Sequence, residues 1–182
     1  KIENFLARPV KLLEDSEFYE YYKYKKVFIT GCGGSIGSDL VLEVLKYEPK
    51  EILGIDISEE NIFEINQKIL DKNLRKKCNF YVSDIRNKNK INNHIKEFQP
   101  DIIIHAAALK HVSISEDNCD EVINTNIFGT INILECCEKY DFIKNFILVS
   151  TDKAVNPSSM MGMTKYITET LCRNYAKKIN QI

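Results

Sequence analysis

The sequence lacks the features that mark exported, membrane-spanning and disulfide-bonded proteins. Its six cysteines include no C-x-x-C pair, and the adjacent Cys136 and Cys137 fall in a helix-like stretch, where geometry disfavours a mutual disulfide. No segment reaches the roughly 18 consecutive apolar residues that span a bilayer, and the first residues lack the charged-then-apolar order of a signal peptide. We therefore expect reduced thiols and a cytoplasmic location.

The sequence also lacks an excess of charge of one sign. Its 25 lysines and arginines nearly balance 26 aspartates and glutamates, which gives a formal net charge of −1. Global attraction to nucleic acid or to an acidic membrane surface is therefore not expected, and a small-molecule ligand is favoured. His94, His105 and His111 lack metal-ligand spacing and have no accompanying carboxylate cluster, so no metal site is expected.

Short β-branched runs alternate along the chain with longer amphipathic segments. The predicted strands are 27–30, 51–55, 80–82, 101–105 and 146–150, and the predicted helices are 36–47, 59–72, 89–98, 121–140 and 160–179. This alternation predicts an α/β fold with a Rossmann-like, doubly wound parallel sheet. A length of 182 residues fits one domain, which we place at residues 25–182. Residues 1–24 are expected to form a lead-in segment packed on that domain.

A glycine-rich loop directly follows the first predicted strand. Residues 31–37 fit the pattern G-x-x-G-x-x-G and open into the predicted helix that begins at Ile36. Ser35 and Ile36 are therefore also expected to contact the cofactor. Gly31 would permit the tight turn, Gly34 would let the backbone approach a pyrophosphate, and Gly37 would allow close helix–strand packing. The helix amino terminus adds free N–H donors and the positive end of the helix dipole. A dinucleotide site is favoured over an incidental glycine turn, because strand, loop, helix and second strand all align.

Two aspartates stand at the ends of the next two predicted strands. Asp56 lies about 20 residues beyond the loop, where a carboxylate can accept hydrogen bonds from the adenosine ribose hydroxyls and repel a 2′-phosphate. NAD is therefore favoured over NADP, with helix capping or a turn as the alternative role of Asp56. Asp84 is placed to meet the adenine, and a surface turn is a comparably good interpretation of that residue.

Several motifs together resemble one enzyme family. They are the glycine loop, Asp56, Asp84-Ile85-Arg86, Ala106-Ala107-Ala108, Asn126, the run STDKAVNP from Ser150 to Pro157, and the run MGMTK from Met161 to Lys165. This set is similar to that of the extended short-chain dehydrogenase/reductases, and specifically of the CapD-like UDP-N-acetylglucosamine 4,6-dehydratases of polysaccharide biosynthesis. The match runs nearly end to end, and the run from Ser150 to Pro157 is its most specific part.

The resemblance implies a cofactor and an activity. In that family NAD oxidises the sugar at C4, water is eliminated across C5 and C6, and the hydride returns to C6, which leaves a 4-keto-6-deoxy sugar. We therefore expect NAD-dependent dehydration of a UDP-N-acetylhexosamine, with UDP-N-acetylglucosamine as the first candidate. The alternatives are a non-catalytic NAD-binding fragment and a nucleotide-sugar epimerase of the same family.

The resemblance also assigns catalytic roles to three consecutive residues. Asp152 would protonate the leaving C6 hydroxyl, Lys153 would be the base at C5, and Thr151 would orient the substrate near C4. Asp152 must then hold a proton and Lys153 must lose one, which burial beside substrate would favour. The competing interpretation is a solvated Asp-Lys loop pair.

Met161 and Lys165 occupy the family's tyrosine and lysine positions on the last predicted helix. They lie one helical turn apart, and the family's lysine holds the nicotinamide ribose. A thioether cannot transfer a proton, so either the enzyme is inactive or the C4 proton leaves through Thr151, Asp152 or an ordered water. Long-form relatives also carry Met here, which favours the second route. Met161 as ordinary core filler is the alternative.

The remaining implied contacts and parts follow from the same resemblance. Cofactor contacts are also expected from Ile85, the three alanines, Lys110 and Asn126, while Lys110 and His111 would otherwise lie in a surface loop. Family members usually continue beyond Ile182 with a smaller domain that grips the UDP-sugar, so we expect that domain to be absent from this chain. Long-form relatives carry membrane helices, so the chain is expected to be cytoplasmic or the cytosolic part of an anchored protein. By analogy, a homodimer or higher homo-oligomer would form through helices 121–140 and 160–179.

Overall fold

The computed structural model describes residues 15–70 and 77–179. Within these ranges five parallel strands form one sheet: β1 (Lys26–Thr30), β2 (Glu51–Asp56), β3 (Cys78–Val82), β4 (Ile102–His105) and β5 (Asn145–Leu148). Their spatial order is β3-β2-β1-β4-β5, and all four pairings are parallel. The expected doubly wound α/β sheet is therefore confirmed.

The helices of the described residues connect these strands and cover both faces of the sheet. They are α1 (Asp15–Tyr22), α2 (Ser35–Leu45), α3 (Glu59–Leu70), α4 (Lys88–Phe98), α5 (Val112–Asp117), α6 (Cys119–Val122), α7 (Gly129–Lys139) and α8 (Met160–Ile179). One core cluster joins alternate strand residues to α2 and α3, and the other joins the remaining strand residues to α4 and α7. Because both faces are covered, β1 and β4 read as almost continuous apolar runs.

The chain order reverses beside β1. Strands β2 and β3 extend the sheet to one side of β1, and β4 and β5 extend it to the other. The helices that follow β1 and β2 lie on one face, and those that follow β3 and β4 lie on the opposite face. This reversal opens a crevice at the carboxyl ends of the strands, which is where ligands bind in such sheets.

The predicted helix over residues 121–140 is wrong as a single regular element. Helix α6 begins at Cys119, a π-helical turn spans Ile123–Phe128, and α7 follows. In that turn the backbone N–H of Gly129 donates to the oxygen of Asn124, five residues earlier rather than four. Such turns insert a residue into a helix and are frequent at functional sites.

Helix α1 covers part of the predicted lead-in segment. Its Tyr22 is buried in the core, and Phe18 stacks on Tyr47 with ring centroids 5.7 Å apart. The Tyr19 hydroxyl donates to the Glu48 carboxylate. The rest of the predicted segment, residues 1–14, and residues 71–72 of the predicted helix 59–72 lie outside the described ranges.

Candidate functional site

A cleft of about 280 Å³ lies at the carboxyl ends of four strands, β1 to β4. Most of the residues predicted to contact a cofactor line it: Gly31, Gly34, Ser35, Ile36, Gly37, Asp56, Asp84, Ile85, Ala106, Ala107, Ala108 and Lys110. Asn126 and Lys165 do not line it, and neither do the predicted catalytic residues. The sheet therefore brings together most of the residues predicted to bind the cofactor, and the predicted catalytic residues are not among the residues that line the cleft.

The three glycines of the G-x-x-G-x-x-G loop differ in what surrounds them. Gly31 has φ +67°, and a Cβ on Gly37 would lie 1.8 Å from the oxygen of Gly31, so the fold itself requires both glycines. A Cβ on Gly34 would meet one protein atom, at 3.4 Å. Gly34 is also the N-cap of α2 and provides no side-chain cap to its free N–H groups. The open side of Gly34 thus leaves space and donors for an anion.

The Asp56 carboxylate is held from three directions. One oxygen accepts from the backbone N–H of Gly33 at 3.1 Å, and the other accepts from Ser58 N at 3.0 Å and from the Asn61 amide at 3.2 Å. The residue is only 7% exposed and lines the cleft. Asp56 therefore orders the turn that precedes α3 and also lines the cleft, and its contact with a ribose stays a prediction.

Asp84 forms one wall of the cleft together with Ile85. Burial would raise the pKa of Asp84, but hydrogen bonds from the Arg86 side chain and backbone, together with the Arg86 charge, outweigh it and lower that pKa. Arg86 also pairs with Glu121, and the Asn132 amide donates to the oxygens of Ile85 and Arg86. This wall is thereby fixed to the segment that carries the π-helical turn.

Lys110 reaches across the mouth of the cleft. Its ammonium donates to the Ser35 hydroxyl at 2.9 Å and thereby lies beside the amino terminus of α2. The sequence argument missed several other lining residues: Ile55, Ile57, Ser58, Asn61, Ser83, Leu109 and Thr125. Three of them, Ile55, Ile57 and Ser83, lie within two residues of a predicted strand end, and that position is the signal that would have found them. The other four carry no such signal.

The predicted catalytic run forms a short turn after β5. Asp152, Lys153 and Ala154 make one turn of 3₁₀-helix, and the Thr151 hydroxyl donates to the Asp152 carboxylate at 3.0 Å. The side chains of Asp152 and Lys153 are 90% and 55% exposed and lie 3.6 Å apart. The hydrogen bond from Thr151, and then the Lys153 charge, lower the pKa of Asp152. This direction is opposite to the one that a proton-holding acid needs, because the described residues do not bury the carboxyl group.

Met161 and Lys165 are both buried on the inner side of α8. Met161 is 4% exposed, which fits the core-filler interpretation of its own atoms. The Lys165 ammonium donates to the backbone oxygen of Val149 at 2.6 Å, and burial lowers its pKa. Lys165 therefore fixes the end of β5 immediately before the turn that carries the predicted catalytic residues.

Asn126 links the cleft to α8. Its side chain accepts from Leu109 N at 2.8 Å and donates to Leu109 O and to the Thr164 hydroxyl, each at 3.0 Å. Leu109 lines the cleft, and Thr164 donates in turn to the oxygen of Met161. Asn126 thus joins the π-helical turn to the cleft wall and to α8, and its predicted contact with the cofactor stays a prediction.

The described ranges contain neither a candidate metal site nor a candidate membrane span. No group of three or more His, Cys, Asp or Glu side chains is arranged to hold a metal ion within residues 15–70 and 77–179. Across the same ranges no helix combines the length and apolarity needed to cross a bilayer. The six cysteines form no disulfide with one another.

Residues 27–182 match the model of a family described as polysaccharide biosynthesis protein. The chain belongs to this family. Members similar to it include the capsular polysaccharide biosynthesis protein CapD of Staphylococcus aureus, which is 36% identical over 96% of the chain and 29% of its own length. A UDP-N-acetylglucosamine 4,6-dehydratase (inverting) of Campylobacter jejuni is 34% identical over 81% of the chain and 42% of its own length. A UDP-glucose 4-epimerase of Rickettsia bellii is 38% identical over 81% of the chain and 42% of its own length. The chain thus spans less than half of each relative.

Solved structures confirm the fold of this family member. The protein Pen from Bacillus thuringiensis is 32% identical, with a TM-score of 0.80 over 86% of the chain and 48% of its own chain. A UDP-glucose 4-epimerase from Stenotrophomonas maltophila, solved with NAD and formylated UDP-arabinopyranose, is 21% identical, with a TM-score of 0.71 over 85% of the chain and 49% of its own chain. The expected extended short-chain dehydrogenase architecture is therefore confirmed.

Proposed function

We propose that the protein carrying this chain binds NAD in the cleft and dehydrates a UDP-N-acetylhexosamine, first of all UDP-N-acetylglucosamine, to its 4-keto-6-deoxy form for polysaccharide synthesis. The observation that carries the proposal is the connection from the cleft to the catalytic turn. Asn126 bonds to Leu109 in the cleft wall and to Thr164 on α8, and Lys165 on that helix holds the end of β5. A cofactor in the cleft would therefore lie beside Thr151, Asp152 and Lys153.

The residues of the cleft fit NAD. The open side of Gly34 and the free amino terminus of α2 suit a diphosphate, and Lys110 adds a positive charge beside them. Asp56 suits a ribose with free hydroxyls and disfavours a 2′-phosphate. The same fold holds NAD in the Stenotrophomonas epimerase. When bound, NAD supplies a hydride acceptor and donor for the sugar.

The exposed turn supplies the proton-transfer groups. Asp152 would donate a proton to the departing C6 hydroxyl, and Lys153 would remove the C5 proton after C4 becomes a ketone. Substrate and the rest of the protein must cover the 90% exposed Asp152 side chain to raise its lowered pKa toward the range of a general acid. The acid role therefore belongs to the substrate complex.

Met161 favours dehydration over epimerisation. It stands where the family places a tyrosine, and its buried thioether can neither give nor take a proton. The C4 hydroxyl proton then leaves through Thr151, Asp152 or a water between them. Elimination of water across C5 and C6 needs an acid and a base, and Asp152 and Lys153 supply both. The chain therefore retains the groups for dehydration although it lacks the tyrosine.

The test is incubation of the full-length protein with UDP-N-acetylglucosamine in D₂O, followed by NMR of the product. We expect a 4-keto-6-deoxy sugar with deuterium at C5, because Lys153 exchanges the abstracted proton with solvent. Asp152→Asn and Lys153→Met should each lower kcat by at least about 100-fold, in line with loss of a general acid or base. The matched surface variants Asp39→Asn and Lys96→Met should leave it unchanged.

Other products would point to the alternatives. A 4-epimeric sugar without loss of water would identify an epimerase, and folded protein that binds NAD but converts no nucleotide sugar would identify a non-catalytic module. Either result would reject the dehydratase assignment.

The oligomer expected from the family remains a proposal. The outward sides of the two long helical segments carry exposed apolar residues, among them Phe128 at 54% and Tyr166 at 50%. Apolar surface of this kind marks interaction sites. Light scattering that shows a dimer, and a monomer for Tyr166→Glu, would support a homodimer at this surface.

A further inference from the structure

His105 is a buried histidine that the proposed reaction does not use. It ends β4 and is 1% exposed. Its Nδ1 lies 2.6 Å from the hydroxyl oxygen of Thr30, at the end of β1. Its Nε2 lies 3.0 Å from the hydroxyl oxygen of Thr130, on α7. Both ring nitrogens therefore have threonine partners from different elements.

The bond from Thr130 to Asn126 determines the direction of the other hydrogen bonds around His105. The Thr130 hydroxyl lies 2.5 Å from the backbone oxygen of Asn126, which can only accept, so Thr130 donates its one proton there. The Thr130 oxygen must then accept from His105, and Nε2 therefore carries the ring proton.

The other nitrogen follows from the neutral charge of the ring. Burial, with the Lys165 charge as a second cause, lowers the pKa of His105 to about 3, so the ring holds one proton at neutral pH. Nδ1 must therefore accept from the Thr30 hydroxyl. The Thr30 oxygen in turn accepts from the backbone N–H of Ala107 at 3.3 Å. One assignment satisfies all four bonds, from Ala107 N–H through Thr30, His105 and Thr130 to the oxygen of Asn126.

We call this series of four bonds, from Ala107 N–H to the oxygen of Asn126, the relay. Its two ends lie at the cleft and at the π-helical turn. Ala107 lines the cleft. Asn126 lies in the π-helical turn, and its side chain bonds to Leu109 and to Thr164 on α8. Both ends are backbone groups that cannot gain or lose a proton, so the relay cannot carry protons to the substrate. It can hold the cleft wall and α8 in register.

We propose that His105, as the neutral Nε2–H tautomer, is a positioning residue that fixes the Asn126 turn against the nucleotide cleft through Thr30 and Thr130. This positioning role rests on the proposed function, because His105 would act through α8, the helix beside the catalytic turn. A half-satisfied buried network is costly, and a shift of about 1 Å near a reacting centre can lower the rate 100-fold.

The first test reads the tautomer directly. In ¹⁵N-labelled full-length protein at pH 7, the His105 ring should show a protonated Nε2 and an unprotonated Nδ1. A protonated Nδ1, or a doubly protonated ring, would overturn the proposal. This measurement needs no enzymatic turnover.

The second test separates positioning from folding. Thr130→Val removes the hydroxyl at nearly constant shape, and Thr130→Ser keeps it. We expect Thr130→Val to lower kcat by about 10-fold or more, with KM and the Kd for NAD within about two-fold, and Thr130→Ser to restore most of the rate. A lower melting temperature with unchanged kcat would show a structural role only and would overturn the proposal.

The third readout keeps the two proposals distinguishable. If the wild-type protein converts no UDP-sugar, the proposed function fails, and the relay is then judged from the backbone amide spectrum. Thr130→Val should move the Leu109 amide resonance, because Leu109 N–H donates to the Asn126 side chain, while Thr130→Ser should leave it in place. An unmoved Leu109 resonance in Thr130→Val would reject the coupling.

Discussion

Gly162 faces the backbone of Lys153 so closely that a Cβ on Gly162 would lie 2.5 Å from the Lys153 oxygen. The first turn of α8 therefore packs directly against the 3₁₀ turn that carries Asp152 and Lys153. The N–H of Met160 at the start of this helix also donates to the Glu116 carboxylate at 2.8 Å. The catalytic turn is thus positioned by a helix that is itself fixed from α5.

Gly162→Ala should therefore displace the catalytic turn. An alanine inside a helix normally stabilises by up to about 1 kcal/mol relative to glycine, so a loss of stability or rate here would come from the contact with Lys153. We expect kcat to fall about 10-fold or more while the Kd for NAD stays within about two-fold. Steady-state kinetics and calorimetric NAD titration measure both, with Asn174→Ala on the exposed side of α8 as the control. Unchanged kcat would mean that the turn moves freely during turnover.

The glycine loop allows a paired prediction. Gly34→Ala should leave the melting temperature within about 2 °C, because its Cβ would meet only the Gly31 oxygen at 3.4 Å, but it should weaken NAD binding at least about 10-fold. Gly37→Ala should instead lower stability by several kcal/mol, since its Cβ would overlap the same oxygen. Thermal unfolding and NAD titration of both variants test the pair. Tight NAD binding by Gly34→Ala would place the diphosphate elsewhere.

Asp56→Asn should change cofactor selectivity. The neutral amide removes the charge that repels a 2′-phosphate, so the ratio of NAD to NADP affinity should fall about 10-fold or more. One of the bonds that Asp56 accepts, such as that from Gly33 N, would also be lost, at a cost of about 1–3 kcal/mol. Parallel titrations with the two cofactors give the ratio, which a general loss of stability would not alter. An unchanged ratio would contradict the ribose role of Asp56.

Stability should fall as the pH drops from about 6.5 toward 4.5. Burial lowers the pKa of His105 from 6.5 to about 3, so in this window the unfolded chain binds a proton that the folded chain excludes. His94, whose pKa burial also lowers, acts in the same direction. Carboxylates with lowered pKa values, such as Asp84 with an ordinary value of 3.8, lose their contribution only at lower pH.

The size of that pH effect is testable by substitution. The slope of the unfolding free energy from His105 alone approaches about 1.4 kcal/mol per pH unit below 6.5. Urea unfolding gives the free energy of unfolding of the wild-type protein and of His105→Gln at pH 7.0 and 4.5. The loss of free energy between the two pH values should be smaller in His105→Gln, because the contribution of the His105 ring is missing. Equal differences would mean that the His105 ring is protonated in the folded state.

The sequence predicted the sheet and most of the residues that line the cleft, because both follow from local patterns. The β-branched runs predicted all five strands to within a few residues, and the loop at Gly31 to Gly37 lies where strand, turn and helix meet. The exposure of Asp152 and the direction of its pKa could not be predicted, because they depend on which elements cover a turn. The π-helical turn was also missed. It is maintained by bonds from Asn126 to Leu109 and Thr164, which lie 17 and 38 residues away in sequence.

The cleft draws its walls from strand ends that are far apart in the chain. The bond between Ala107 and Thr30 spans 77 residues, and β1 must pair with both β2 and β4 before the glycine loop meets the alanines. A chain that has folded only its amino-terminal half therefore has no place for a dinucleotide. Ligand that binds only the finished sheet stabilises it by about 2.7 kcal/mol at a concentration 100 times its Kd. A ligand of the cleft would then protect the finished sheet against unfolding, independently of any turnover.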